Sequence, residues 1–73
     1  MDILVAGGTG FIGSYLCRAL AEGGHDVTAL ARSRGETPKG VDLVTGNVTD
    51  YDSIAGAVAG QDAVVNLVAL SPL

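Results

Sequence analysis

The sequence predicts an α/β fold: a four-stranded parallel sheet of order 3-2-1-4 carrying two main helices. Three features of the 73 residues point there. Short apolar runs rich in strand formers alternate with stretches of helical period. The first and last of these runs are apolar on consecutive positions, as in strands buried on both faces of a parallel sheet. The first run then enters a helix through "GGTGFIG", where Gly7, Gly10 and Gly13 fall three apart.

Taken in order, "DILVA" (2–6) is the first strand, closed by glycine. From Phe11 to about Glu22 the period becomes helical. Phe11, Ile12, Tyr15, Leu16, Ala19 and Leu20 form the expected inner face, with Arg18 and Glu22 toward solvent. Gly23 and Gly24 stop that helix, and "VTALA" (27–31) is the second strand. "RSRGETPKG" (32–40) is polar and broken by Gly35, Pro38 and Gly40, so a loop replaces a crossover helix. "VDLVTG" (41–46) alternates and reads as a third strand at the sheet edge. "NVTDYDSIAGAVAG" (47–60) supplies Thr49 or Asp50 as N-cap and a helix with Ile54, Ala55 and Val58 inward. "DAVVNLVAL" (62–70) is the fourth strand, apolar on both faces. With the first strand central and neighbours added on either side, the order is 3-2-1-4, the first half of a doubly wound sheet.

Composition narrows the function classes. Hydrophobic residues make up 48% of the chain, so it builds a core. Cys17 and His25 are the only cysteine and histidine, which leaves neither a disulfide nor a metal cluster to staple it. Chains below roughly 70–80 residues seldom hold a core without such staples. Residues 1–73 are therefore expected to be the N-terminal half of a larger domain. A net charge of −4 argues against nucleic-acid binding, which needs a positive footprint. No run approaches the length of a membrane span, and the start lacks the basic residues of a signal peptide, so cytoplasm is the expected location.

A glycine turn between a buried strand and a helix leaves backbone N–H groups at the positive helix end, where a pyrophosphate binds. The first glycine allows the turn, the second admits the phosphates, and the third lets helix pack on strand. "VAGGTGFIGSYLCRALAEGGHDVTALAR" resembles the opening of an extended or atypical short-chain dehydrogenase/reductase, a partial Rossmann fold. That family's loop is typically T-G-x-x-G-x-x-G, and Ala6 stands at its threonine. "GNVTD" is similar to the family's G-D-x-x-D stretch, and "AVVNLVAL" to its fourth strand, so the resemblance covers the whole chain.

The resemblance implies a dinucleotide ligand held by Gly7, Thr9, Gly10, Phe11, Ile12 and Gly13. At the end of strand two a carboxylate suits the ribose 2′-hydroxyl of NAD, and an arginine suits the 2′-phosphate of NADP. Ala31 stands where NAD users of the family carry the acid, and Arg32 and Ser33 follow, with Arg34 beyond. NADP(H) is therefore favoured over NAD(H), with Arg32 ahead of Arg34. Asn47 and Val48 fall where the family flanks the adenine, Asn47 in place of its aspartate. Val68 and Ala69, at the end of strand four, are expected to line the crevice.

No catalytic residue is assigned. Cys17 reads as packing and His25 falls at the far end of strand two. Neither Tyr15 nor Tyr51 begins the Tyr-x-x-x-Lys pair that the family's reductases and epimerases use. The resemblance admits such an enzyme, and also a non-catalytic relative of the complex I accessory-subunit or NADP-sensing type. The apolar, arginine-bearing end of strand two fits the latter slightly better. A different class of function is a structural half-fold that binds no cofactor and self-associates through the apolar edge of strand 62–70.

Overall fold

In the computed structural model, residues 1–67 are described. The elements follow one another as β1 (Asp2–Ala6), α1 (Phe11–Glu22), β2 (Asp26–Ala31), β3 (Val41–Thr45), α2 (Tyr51–Val58) and β4 (Ala63–Asn66). The strands form one sheet in the order β3-β2-β1-β4, every pairing parallel. The expected architecture, a Rossmann-type half with a loop over 32–40 and β3 at an edge, is the one observed.

β1 owes its unbroken apolar sequence to its place. Ile3 and Val5 pack under α1 with Val27, Ala29 and Val41, whereas Leu4 and Ala6 pack under α2 with Leu30. The two helices therefore cover opposite faces of the sheet. Each large side chain withdrawn in this way, Leu4 and Leu30 foremost, contributes on the order of 1.5–3 kcal/mol of transfer free energy.

Three readings of detail change. The inner face of α1 is Gly13, Cys17 and the partly buried Leu16, Leu20 and Ala21. Phe11, Ile12, Tyr15 and Ala19 lie outside it, with Phe11 94% exposed. The reason is distance: α1 sits so close to the glycine turn that only glycine and cysteine fit between, and the large residues rotate outward. On α2 the inward residues are Ile54, Ala57 and Val58, with Ala57 in the role expected of Ala55.

The third change concerns β4. Ala63 and Val65 pack under α1, but Val64 is 51% exposed on the other face. An eight-residue helix at α2 reaches β1, β2 and β3 and leaves that face of β4 uncovered. Of the strand expected over 62–70, Asp62 and Leu67 fall just outside β4, and residues 68–70 lie outside the described residues.

Asp50 is the N-cap of α2 without a side-chain hydrogen bond. The helix start is instead tied by Ser53, whose Oγ donates to the Asp50 carbonyl at 2.8 Å. Asn47 shapes the turn before it, its Oδ1 accepting from the Thr49 N–H at 3.0 Å.

The close packing of α1 makes a sharp contrast between glycines. A Cβ at Gly13 would lie 2.1 Å from the Gly7 carbonyl oxygen, whereas one at Gly56 in α2 meets nothing within 4 Å. Gly13→Ala is expected to cost more than ~3 kcal/mol, because backbone must move. Gly56→Ala is expected to add about 0.5–1 kcal/mol through helix propensity. Thermal unfolding followed by circular dichroism checks both: the first melts well below the parent, the second a few degrees above it.

Candidate functional site

The carboxyl ends of the strands meet in a cleft of about 390 Å³, lined by Gly7, Thr9, Gly10, Leu30, Ala31, Arg32, Ser33, Gly46, Val48 and Leu67. Backbone hydrogen bonds extend each pairing to the rim. Gly7 N–H donates to the Leu30 carbonyl at 2.8 Å, Gly46 N–H to that of Ala31 at 2.8 Å, and Leu67 N–H to that of Ala6 at 2.9 Å. Because β2 and β3 lie on one side of β1 and β4 on the other, the cleft opens where the strand order reverses. That is the place where ligands settle in open α/β sheets.

The glycine turn has a division of labour. Gly7 turns the chain with φ +83°, a conformation that L side chains rarely adopt. Gly13 admits the helix, as described above. Gly10 is different: a Cβ there would touch only the Gly7 oxygen, at 3.6 Å. The fold therefore leaves room for a side chain at position 10, and its bareness is not imposed by packing.

Gly10 is also the N-cap of α1, and no side chain caps that helix or places an acid in its first turn. Among the described residues the N–H groups of Phe11 and Ile12 find no carbonyl partner. Uncapped N–H groups at a helix N-terminus are donors for an anion.

The end of β2 falls at Ala31. Arg32 and Ser33 therefore follow directly, and both reach the same cleft as the glycine turn. No carboxylate lines it among the described residues. A guanidinium stays charged and binds phosphate oxygens as a fork, so a phosphate monoester beside Ser33 suits this rim.

Other expected residues take different positions. Val48 lines the cleft; Asn47 flanks it but is not part of its wall. Phe11 borders a neighbouring hollow with Tyr15, Arg18 and Lys39, and Ile12 borders neither space. Val68 and Ala69 lie outside the described residues.

Three lining residues had no part in the expected site: Leu30, Gly46 and Leu67. Gly46 had a readable signal, a glycine closing a strand, and its reason is packing. A Cβ there would lie 2.8 Å from Ile54 Cγ2. Gly8, which does not line the cleft, is likewise fixed by packing, since a Cβ on it would lie 2.6 Å from that of Ala29.

Cys17 lies directly behind this turn. It is fully buried, with its Sγ 3.9 Å from the Gly8 carbonyl oxygen. Desolvation by burial raises its pKa, so the folded protein holds the neutral thiol. His25 is at the opposite end of the sheet, its Nδ1 3.4 Å from the amino group of Met1.

The sequence profile of the NAD dependent epimerase/dehydratase family matches residues 3–72. Among curated proteins, the 2-alkyl-3-oxoalkanoate reductase of Stenotrophomonas maltophilia is 47% identical over 66 residues. That alignment takes in 88% of this chain and 20% of the reductase. Among solved structures, a UDP-galactose 4-epimerase superposes with a TM-score of 0.83 at 32% identity, over 100% of this chain and 25% of the epimerase. The enzyme WbmG of Bordetella bronchiseptica, solved in complex with NAD and UDP, superposes with a TM-score of 0.78 at 25% identity. There 97% of this chain and 26% of WbmG are covered. The chain thus spans about a quarter or less of the length of these proteins.

The raised thiol pKa fixes a pH dependence. An unfolded cysteine titrates near 8.5. Below that value both states are protonated and the stabilisation is fully present. Above it the unfolded chain loses its proton while the folded one keeps it, so stability falls as pH rises toward the folded pKa. Urea midpoints at pH 7 and pH 10 should show this loss, and a Cys17→Ala variant should show less of it.

Proposed function

Because this chain belongs to the NAD dependent epimerase/dehydratase family, we propose that its cleft holds the adenosine and pyrophosphate part of NADP(H), in preference to NAD(H). The observation that carries this reading is the β2 terminus. Ala31 is apolar where a ribose-binding carboxylate would be needed, and Arg32 and Ser33 share a wall with Gly7, Thr9 and Gly10.

Each group then has a task. The Phe11 and Ile12 N–H groups and the bare Gly10 receive the pyrophosphate at the positive end of α1. Arg32 and Ser33 hold the 2′-phosphate, and Val48 contacts the base. Ile12 and Gly13 act through their backbone, Gly13 by keeping α1 against the turn. When bound, the dinucleotide supplies or accepts a hydride. This chain's residues bind and orient it, and the sequence given contains no Tyr-x-x-x-Lys motif. For the whole protein we propose a reductase or epimerase activity, as the names of its relatives suggest, or a cofactor-sensing role.

A second reading rests on the place of β4 at one edge of the sheet, where it also carries the exposed Val64. It is that the chain self-associates through β4. Sedimentation equilibrium should then show a dimer as concentration rises; a monomer throughout would count against it.

The main reading is tested by titrating NADPH and NADH while following the backbone amide resonances of residues 7–13 and 32–33. Both regions should shift, with NADPH the tighter ligand. Arg32→Ala should weaken NADPH by about tenfold or more, the worth of one charge-assisted contact. NADH should be nearly unaffected, and equal loss for both would overturn the assignment. Gly10→Ala should keep its melting temperature yet weaken both dinucleotides.

A further inference from the structure

α1 carries a second row of side chains on the side away from the sheet. Phe11, Tyr15 and Arg18 fall four and three residues apart, so they share that side. Phe11 is 94% and Tyr15 69% exposed, and packing within the chain therefore accounts for neither ring. Across from them, Pro38 and Lys39 of the β2–β3 loop complete a hollow of about 650 Å³. Thr9 and Gly10 line both this hollow and the cleft, so the two spaces adjoin. A volume of this size lies in the range of small-molecule sites, roughly 300–1,000 Å³.

Both walls of the hollow are held in place. One is a helix whose opposite side is packed on the sheet through Gly13 and Cys17. The other is tied at Thr37, whose Oγ1 donates to the Val41 carbonyl at 2.9 Å, and at Val41, whose N–H donates to the Pro38 carbonyl at 3.1 Å. The loop also rests on the glycine turn, since a Cβ on Gly35 would lie 3.6 Å from Thr9 Cγ2. The hollow is thus formed by the chain's own packing.

Its chemistry combines two features. Two aromatic rings and a proline offer apolar surface, and two cations stand among them. Half of the chain's four basic residues gather here although the chain is acidic overall, so the sign of the hollow is opposite to that of the whole. Glu22, Glu36 and Asp42 are the acids nearest to Arg18 and Lys39 in sequence, yet among the described residues neither cation is in an ion pair. A guanidinium and an ammonium only donate, and they bind anions most strongly. Exposed rings gain by covering apolar surface with an apolar partner.

We propose that this hollow is a second ligand site for a small aromatic carboxylate. The ring of the ligand lies against Phe11, Tyr15 and Pro38, and Arg18 and Lys39 hold its carboxylate. The proposal is independent of what the cleft binds, because the Tyr15, Arg18 and Lys39 side chains line only the hollow. A merely solvated basic face would take any small anion equally; this site requires ring and charge together.

The test titrates the protein with benzoate, and in parallel with acetate, which lacks the ring, and with benzyl alcohol, which lacks the charge. Amide resonances of residues 15, 18 and 39 and the Tyr15 ring protons report the hollow; amides of residues 31–33, 46 and 48 report the cleft. Benzoate should shift the first group to saturation, bind at least about fivefold more tightly than either control, and leave the second group nearly still. Arg18→Gln and Lys39→Gln should each weaken benzoate by about threefold, the scale of one exposed charge pair, with the melting temperature unchanged. Tyr15→Ala should weaken benzoate and leave acetate as it was. Equal binding of benzoate and acetate at the hollow would overturn the proposal, as would shifts confined to the cleft or a titration that never saturates.

Discussion

The approach of α1 to the turn after β1 governs the rest of the molecule. Gly13 rests on the Gly7 oxygen, and Cys17 rests on Gly8, which in turn abuts Ala29 of β2. A helix held this close fixes three things together. It brings its positive end to the strand ends, it seals one face of the sheet, and it leaves no room for large residues between. Phe11, Ile12 and Tyr15 are exposed as a direct consequence. The same contact explains why β2 carries Ala29, since a larger residue there would lift Gly8 and tilt the helix off the turn.

Most of the fold was legible because strands and helices announce themselves by period. β1, α1 and the loop over 32–40 fall where the residue pattern puts them. What the pattern missed follows from a rule that hydropathy does not carry. An inner helical face is normally the large apolar one. Here its fully buried members, Gly13 and Cys17, are small because the tightest contact is backbone to backbone, and Leu16 and Leu20 are only partly buried. β4 misled for a related reason. Consecutive apolar residues imply cover on both faces, yet α2 covers only the part of the sheet it can reach, and Val64 stays exposed.

The candidate site divides the same way. Gly7, Thr9, Gly10, Arg32, Ser33 and Val48 were readable because each follows from a position in a strand–turn–helix unit. Leu30 and Leu67 were not, because they enter the cleft through strand register rather than through any motif, and Gly46 signalled only the close of a strand. Asn47 is the instructive case. Position alone places it at the cleft, and hydrogen bonding to Thr49 and Ser53 assigns it to the turn.

Charge completes the picture. Asp2 and Asp26 begin their strands, Asp62 precedes β4 and Asp42 is second in β3, so these acids gather at the sheet end away from the cleft. The chain is acidic overall, yet its cleft presents Arg32 and an uncapped helix end. An aspartate or serine at position 10 would cap α1 and, against an unfavourable cap, add about 1 kcal/mol. Against glycine the gain is only a few tenths of a kcal/mol, a small stability sacrifice for a large change in surface. With a carboxylate there, the helix would satisfy its own N–H groups and repel an incoming anion. With Gly10, those donors stay open in a cleft that also carries Arg32, a donor of the same sign. The missing cap thus leaves the turn open toward the cleft, where a capped helix would close on itself.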